Sequence, residues 1–273
     1  MPRLHLLEIE DQPWCPRFLR DATTDLLALA ENSVERPYHH FVGRLIEALQ
    51  ATSEDRIVDL CSGGGGPLRT LSRLLTERGH PVPIRLTDLH PNVDRFTQLT
   101  QDHGNFEAEW TPVDATNVPK ELSGMRLLCE GFHHFQPTAA RAILQDAVDR
   151  GVPIAILEMV ARTPGSILWV LLSPPMAMLG VLFLRPFSWK NILFGILIPL
   201  IPLLIVFDGV VSCLRIYSPA ELQGLVDGLR GAEDYVWHID RRRFGLGWIT
   251  TLVAWPSRPT TRPGSDSQVS LKG

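Results

Sequence analysis

With 273 residues, 45% of them apolar and 21% charged, the chain can bury one large core or two small ones and is too apolar to be disordered. Its formal net charge of −4, with one basic run at Arg241–Arg243 that reads as a solvated strand end, argues against a nucleic-acid surface. Cys15, Cys61, Cys129 and Cys213 form no CxxC pair and have no His at metal spacing, which predicts reduced thiols in the cytoplasm, no disulfide framework and no metal.

Residues 1–20 reach Glu8 too early for a secretory signal. Prolines on both sides of Trp14 make a stiff, non-helical stretch. Trp14 reads as a plug in the domain surface, or, with Asp11 and Arg20, as a lid over a site. Residues 21–50 predict two helices that form an N-terminal cap with the preceding segment. Asp21 caps the first. The second starts near Tyr38 and puts Phe41, Val42, Leu45, Ile46 and Leu49 on one face. His39 and His40 are adjacent, diverge on a helix and make a poor metal pair.

A regular alternation follows over 51–256. Strands are expected at 56–60, 83–86, 108–113, 125–129 and 152–157, and helices at 68–78, after Asn92, and at 139–150 behind a Thr138 cap. A last helix is expected over 221–229, then a strand pair at 235–239 and 248–255 joined through 241–247. This pattern predicts an α/β fold, Rossmann-like, with a mostly parallel seven-stranded sheet and helices on both faces. The tail, 257–273, is Ser, Thr, Pro and Gly rich and is expected to be disordered.

The first strand ends at Asp59 and runs into Cys61–Ser62–Gly63–Gly64–Gly65–Gly66. Such a turn lets backbone amides approach an anionic or electron-rich ligand at a helix N-terminus. Asp88, Asp114, Glu130 and Glu158 also lie at or near predicted strand ends, where open α/β sheets bind ligands. A dinucleotide fingerprint is not met, because Leu68 stands at its third glycine.

These residues resemble the class I methyltransferases that use S-adenosylmethionine. The resemblance rests on Asp59 through Gly66, on Asp88–Leu89, on Asp114–Ala115 and on Glu130–Gly131–Phe132–His133–His134–Phe135. It covers 56–160 well and leaves 1–20 and 163–216 unexplained. It implies S-adenosyl-L-methionine as cofactor and a cofactor site made of Asp59, Cys61, Ser62, Gly63, Gly65, Asp88, Leu89, Asp114, Ala115 and Glu130. Asp59 would face the ammonium end, Asp88 the ribose hydroxyls, and Asp114 with Ala115 the adenine. Cys61 replaces the family's first glycine. His133, His134 and Glu158 are the candidate catalytic groups, and His-His-Phe resembles members that methylate small molecules.

Between 163 and 216 lies an apolar insertion expected to form a helical hairpin after strand 5. The stretches 166–184 and 191–207 carry no charge, and each nears the roughly 20 residues that cross a bilayer. A hairpin dipping into one leaflet, two spanning helices, and a cap or dimer surface all fit. Association with a membrane surface through 166–207 is preferred, because so long an apolar patch would otherwise aggregate. This points to a hydrophobic or lipid-like acceptor, with Trp14, Asp208 and Arg215 as candidate contacts and Ser212 beside them. An Asp208–Arg215 salt bridge is the structural alternative. Besides a methyltransferase, the chain fits a non-catalytic cofactor-binding module regulating a membrane partner, or a membrane anchor whose sheet is only scaffold.

Overall fold

The computed structural model describes residues 1–185 and 187–258. The expected tail therefore lies, apart from its first two residues, outside the described residues.

A single seven-stranded sheet organises the chain. Its strands are β1 (Ile57–Asp59), β2 (Ile84–Leu86), β3 (Phe106–Ala108), β4 (Met125–Cys129), β5 (Ile154–Glu158), β6 (Tyr235–Phe244) and β7 (Gly247–Pro256). They lie in the order β3-β2-β1-β4-β5-β7-β6. The first five are parallel, and β7 runs antiparallel between β5 and β6. The strand order reverses between β1 and β4, so a crevice opens at the carboxyl ends of these two strands.

The helices follow from apolar spacing and end signals. On the first face lie α2 (Tyr38–Thr52), α3 (Leu68–Glu77) and α4 (Val93–Asp102), which bury Phe41, Leu45, Leu71, Leu75 and Phe96 against Ile57, Leu127 and Leu157. The other face carries α5 (Pro137–Arg150) and α10 (Pro219–Val226), packed on Val58, Leu128, Ile156 and Leu252. Both faces are covered, which is why the central strands read as continuous apolar runs. Asn92 caps α4 by accepting from the Arg95 amide. Ser218 and Glu221 form a reciprocal capping box on α10.

The remaining helix before the sheet, α1 (Arg17–Asn32), packs against the insertion through Ala22 and Leu26. The insertion is helical but broken. It comprises α6 (Pro164–Leu171), α7 (Pro174–Gly180), a 3₁₀ turn (Val181–Phe183), α8 (Trp189–Ile192), a π-helical turn (Leu193–Leu197) and α9 (Leu200–Arg215). Its two apolar runs bend by 45° and 69°, and among the described residues no single helix is long and apolar enough to cross a membrane. Pro174, Pro199 and Pro202 remove the donors that a continuous span needs.

Several boundaries differ from expectation. The first helix begins at Arg17, behind Pro16, and Asp21 sits on its surface 3.5 Å from Arg17. Pro137, not Thr138, sets the start of α5, since proline fits the first helical position. β3 spans Phe106–Ala108, almost wholly before the expected 108–113, and Pro112 has no N–H with which that stretch could extend the ladder. β6 runs straight through Arg241–Arg243, and the hairpin turns at Gly245–Leu246.

Candidate active site

The glycine turn is fastened to the strand ends by short bonds. Ser62 N donates to Thr87 O at 2.9 Å, and Thr87 N donates to Ser62 Oγ at 3.0 Å. The hydroxyls of Ser62 and Thr87 both donate to Asp59 O, at 3.0 and 2.9 Å. Cys61 has φ 61°, so the residue at the family's first glycine adopts the left-handed conformation that glycine would favour. Gly65 has φ 89°, and a Cβ there would meet Leu99 Cδ1 at 2.6 Å. Helix α1 lies directly over this turn, since a Cβ on Gly64 would overlap Thr24.

Asp59 is 2% exposed, and its Oδ1 has no hydrogen-bond partner among the described residues. Burial pushes its carboxyl up to about 8, against the pull of the Ser62 hydrogen bond. Next to it, Asp88 accepts from Gly63 N at 3.0 Å and from His90 N at 2.8 Å. Leu89 is half exposed beside it. Because β3 is short, Asp114 and Ala115 sit in the loop beyond the strand. Val113 N donates to Asp88 O at 2.9 Å and brings that loop to the second acid. Asp114 accepts from Thr116 N and Oγ1, both at 2.8 Å, while Ala115 is buried.

Past β4 and β5 a second group of acids collects. Glu130, with φ 55°, accepts from Met159 N at 2.6 Å. Burial and then the charges of Glu158 and Glu31 raise its pKa well above the usual carboxylate range. Glu31, on α1, has an Oε2 without a hydrogen-bond partner among the described residues, and is pushed up to about 8 by burial and then by Glu158. Sequence reasoning missed Glu31. The signal was its place two helical turns after Thr24, on the face that covers the glycine turn.

His133 and Glu158 form a close buried pair. Glu158 accepts from His133 N at 2.9 Å through Oε1, and its Oε2 lies 2.8 Å from His133 Nδ1. A carboxylate only accepts, so Nδ1 carries a proton toward Glu158, while Nε2 lies 3.8 Å from Glu8 Oε1. His134 is half buried and packs against His133 with ring centroids 4.3 Å apart and planes tilted by 34°.

The N-terminal segment straps this region. Arg3 donates to the carbonyls of His133 and Phe135, at 3.1 and 2.9 Å. Ile9 N and Glu10 N donate to Asp208, at 2.7 and 3.0 Å. Asp208 and Arg215 therefore do not pair with each other, because each is taken by the strap. Arg215 Nη1 reaches Glu8 Oε1 at 3.1 Å and Asp11 Oδ2 at 3.4 Å. Ser212 Oγ donates to Glu8 Oε1 at 2.9 Å. Burial works against charge on His134, yet its hydrogen bond with Asp11 at 3.1 Å and the field of Glu8 leave its pKa raised. Glu8, the centre of this network, was missed because its irregular segment has no periodicity to mark it as buried.

Glu8, His133 and His134 each offer one ligating atom within 4.8 Å of the others. Arg215 Nη1 stands among them, 3.3 Å from His134 Nδ1, and supplies the positive charge a metal ion would bring. Trp14 is 66% exposed, so it does not plug the domain surface. Arg20 holds the strap, donating to the carbonyls of Glu10 and Gln12 at 2.7 and 2.8 Å. Cys61 and Cys129 are half-buried free thiols, both with raised pKa from burial.

The sheet order, the antiparallel β7 and the glycine turn at the β1/β4 crevice make this the class I methyltransferase fold. No known family profile and no curated protein matches the chain. Among solved structures it is similar to the CMeT domain of the citrinin polyketide synthase, with TM-score 0.55 and 15% identity over 93% of this chain. It spans 60% of that chain. The mitomycin 7-O-methyltransferase MmcR aligns with TM-score 0.45 and 12% identity, over 81% of this chain and 54% of its own. The magnesium protoporphyrin IX methyltransferase of Synechocystis PCC 6803, solved with SAH, aligns with TM-score 0.43 and 14% identity, over 81% of this chain and 84% of its own.

Proposed function

We propose that the chain is an S-adenosylmethionine-dependent methyltransferase that transfers a methyl group to a hydrophobic small molecule or lipid-like acceptor. The observation that carries this reading is the buried, unpartnered Asp59 oxygen beside a glycine-rich turn at the switch point. A cationic ammonium there would satisfy the orphaned atom and stabilise its charge. Asp88 offers two acceptor oxygens for a ribose diol, giving up its bonds to Gly63 and His90. Asp114 and the Ala115 amide would hold the adenine.

The cofactor supplies the methyl group already activated on a sulfonium. The chain's own task is to align the acceptor and remove its proton. Glu158 fixes His133 in the tautomer whose Nε2 can accept that proton. Glu158 is thus a positioning residue and His133 the base. His134, Asp11 and Arg215 hold the strap that screens this base from solvent.

The acceptor's apolar part would lie toward the insertion, where Trp169, Phe183, Phe187, Trp189 and Leu203 are exposed. Arg185 and Lys190 are exposed in the same stretch. This suits a broken helical layer resting on a lipid surface, with cations and Trp at headgroup level. Sedimentation with phosphatidylglycerol vesicles tests the contact, and protein left wholly in the supernatant argues for a cap instead.

Calorimetric titration with S-adenosylmethionine tests the cofactor, and no heat from folded protein sinks the reading. Asp88→Ala should weaken binding at least tenfold without unfolding the chain. Methyl-labelled cofactor incubated with lipid extracts then tests turnover. Binding without any labelled product would favour a non-catalytic cofactor-binding module.

A further inference from the structure

A cavity of about 260 Å³ opens beside the active site and is lined by Ala161, Arg162, Tyr217, Ser218, Arg241 and Thr250. Thr250 is the β7 residue paired in register with Glu158. Tyr217 and Thr250 also border the small void around Glu158 and Phe132. The cavity is therefore one side-chain layer from the His133–Glu158 pair.

Two buried donors at its wall lack hydrogen-bond partners among the described residues. Arg162 has a side chain only 7% exposed, with Nη2 bound to Glu221 Oε2 at 2.5 Å. Its Nη1 makes no hydrogen bond. Thr250 is 2% exposed, and its Oγ1 also has none. Leaving such a group unsatisfied away from water is costly, and more so when it is charged. At the rim, Arg241 lies 4.8 Å from the centre of the Trp248 ring. Among the described residues it has no carboxylate partner. Glu221 offsets one guanidinium, and the other leaves the cavity net positive.

We propose that this cavity binds an oxyanion, a carboxylate or a phosphate, carried by the methyl acceptor. Arg162 Nη1 and the Thr250 hydroxyl donate to its oxygens, and Arg241 supplies long-range attraction. The acceptor is then an amphiphilic acid, with its apolar part toward the insertion and its anionic group anchored here. The inference rests on the methyltransferase reading for the word acceptor, but the anion site itself does not depend on it.

Calorimetry on the full chain with octanoate, octyl phosphate and octanol tests the site, with S-adenosylmethionine titrated in parallel. At least one anion should bind ten or more times tighter than octanol, and the better anion distinguishes carboxylate from phosphate. Thr250→Val and Arg162→Met should each cut anion affinity about tenfold while leaving octanol binding and S-adenosylmethionine affinity unchanged. If Arg162→Met fails to fold, Thr250→Val, which keeps shape and charge, decides. Equal affinity for octanol and both anions overturns the proposal, as does full anion affinity in folded variants. Failure of the parent chain to bind S-adenosylmethionine would refute the enzyme reading and leave the anion result standing.

Discussion

Arg215 Nη1 lies 3.1 Å from Glu8 Oε1, and this contact ties the N-terminal strap to the end of α9. Both side chains are almost fully buried, at 7% and 3% exposure. Removing one partner of such a pair strands the other charge away from water. Arg215→Met should therefore lower stability by about 3 kcal/mol in urea unfolding, and adding Glu8→Gln should restore part of it. A loss below about 1 kcal/mol would mean that the strap is not anchored by this pair.

Asp59, at about 8 against an ordinary 3.8, titrates above neutrality in the folded chain. The folded state then binds more protons than the unfolded one between these two values, so this group's contribution to stability falls as pH rises from about 4 to 8. A cationic cofactor favours the ionised form. Binding of S-adenosylmethionine at pH 7 should release protons and tighten toward pH 9, seen by calorimetry in buffers of different ionisation heat. Glu31, also near 8, adds in the same direction. In Asp59→Asn the Asp59 share of the release should vanish, and an unchanged release would remove Asp59 from the cofactor site.

Glu158→Gln should leave the fold intact and release the His133 tautomer. Nitrogen shifts of the labelled imidazole should show the proton on Nδ1 in the parent and a mixture in the variant. With an acceptor in hand, kcat should fall by about 10²- to 10⁴-fold while KM changes little. A loss seen only in KM would instead make Glu158 an acceptor-binding residue.

Cys61 and Gly65 both have positive φ, but they should respond in opposite ways to substitution. A non-glycine residue in this conformation costs roughly 1–2 kcal/mol. Cys61→Gly relieves that strain and gives up some packing and chain stiffness. Its net effect should lie between neutral and about 1 kcal/mol of stabilisation. Gly65→Ala adds strain and drives a methyl toward Leu99, so it should destabilise by more than about 1 kcal/mol. Thermal unfolding of the two variants, with the order reversed, would count against the turn geometry described above.

The sequence by itself determined the sheet and the glycine turn at its switch point. Apolar runs ending in Asp59, Asp88 and Glu158, separated by helical spacing and by Gly151, encode parallel strands through local physics alone. The four-glycine turn marks where backbone must take positive φ or make close approaches. Only the tertiary structure decided what surrounds His133 and His134. Glu8 meets Arg215, Asp208 takes the strap amides, and Glu31 comes within the field of Glu130 and Glu158, all by approach of segments far apart in the chain. No residue spacing encodes such meetings. The same holds for Arg162 and Thr250, whose unpartnered donors exist only because folding withdraws them from water. Pro174, Pro175, Pro199 and Pro202 already mark breaks in both apolar runs, since proline removes a backbone donor, and the tertiary structure adds the bends of 45° and 69°.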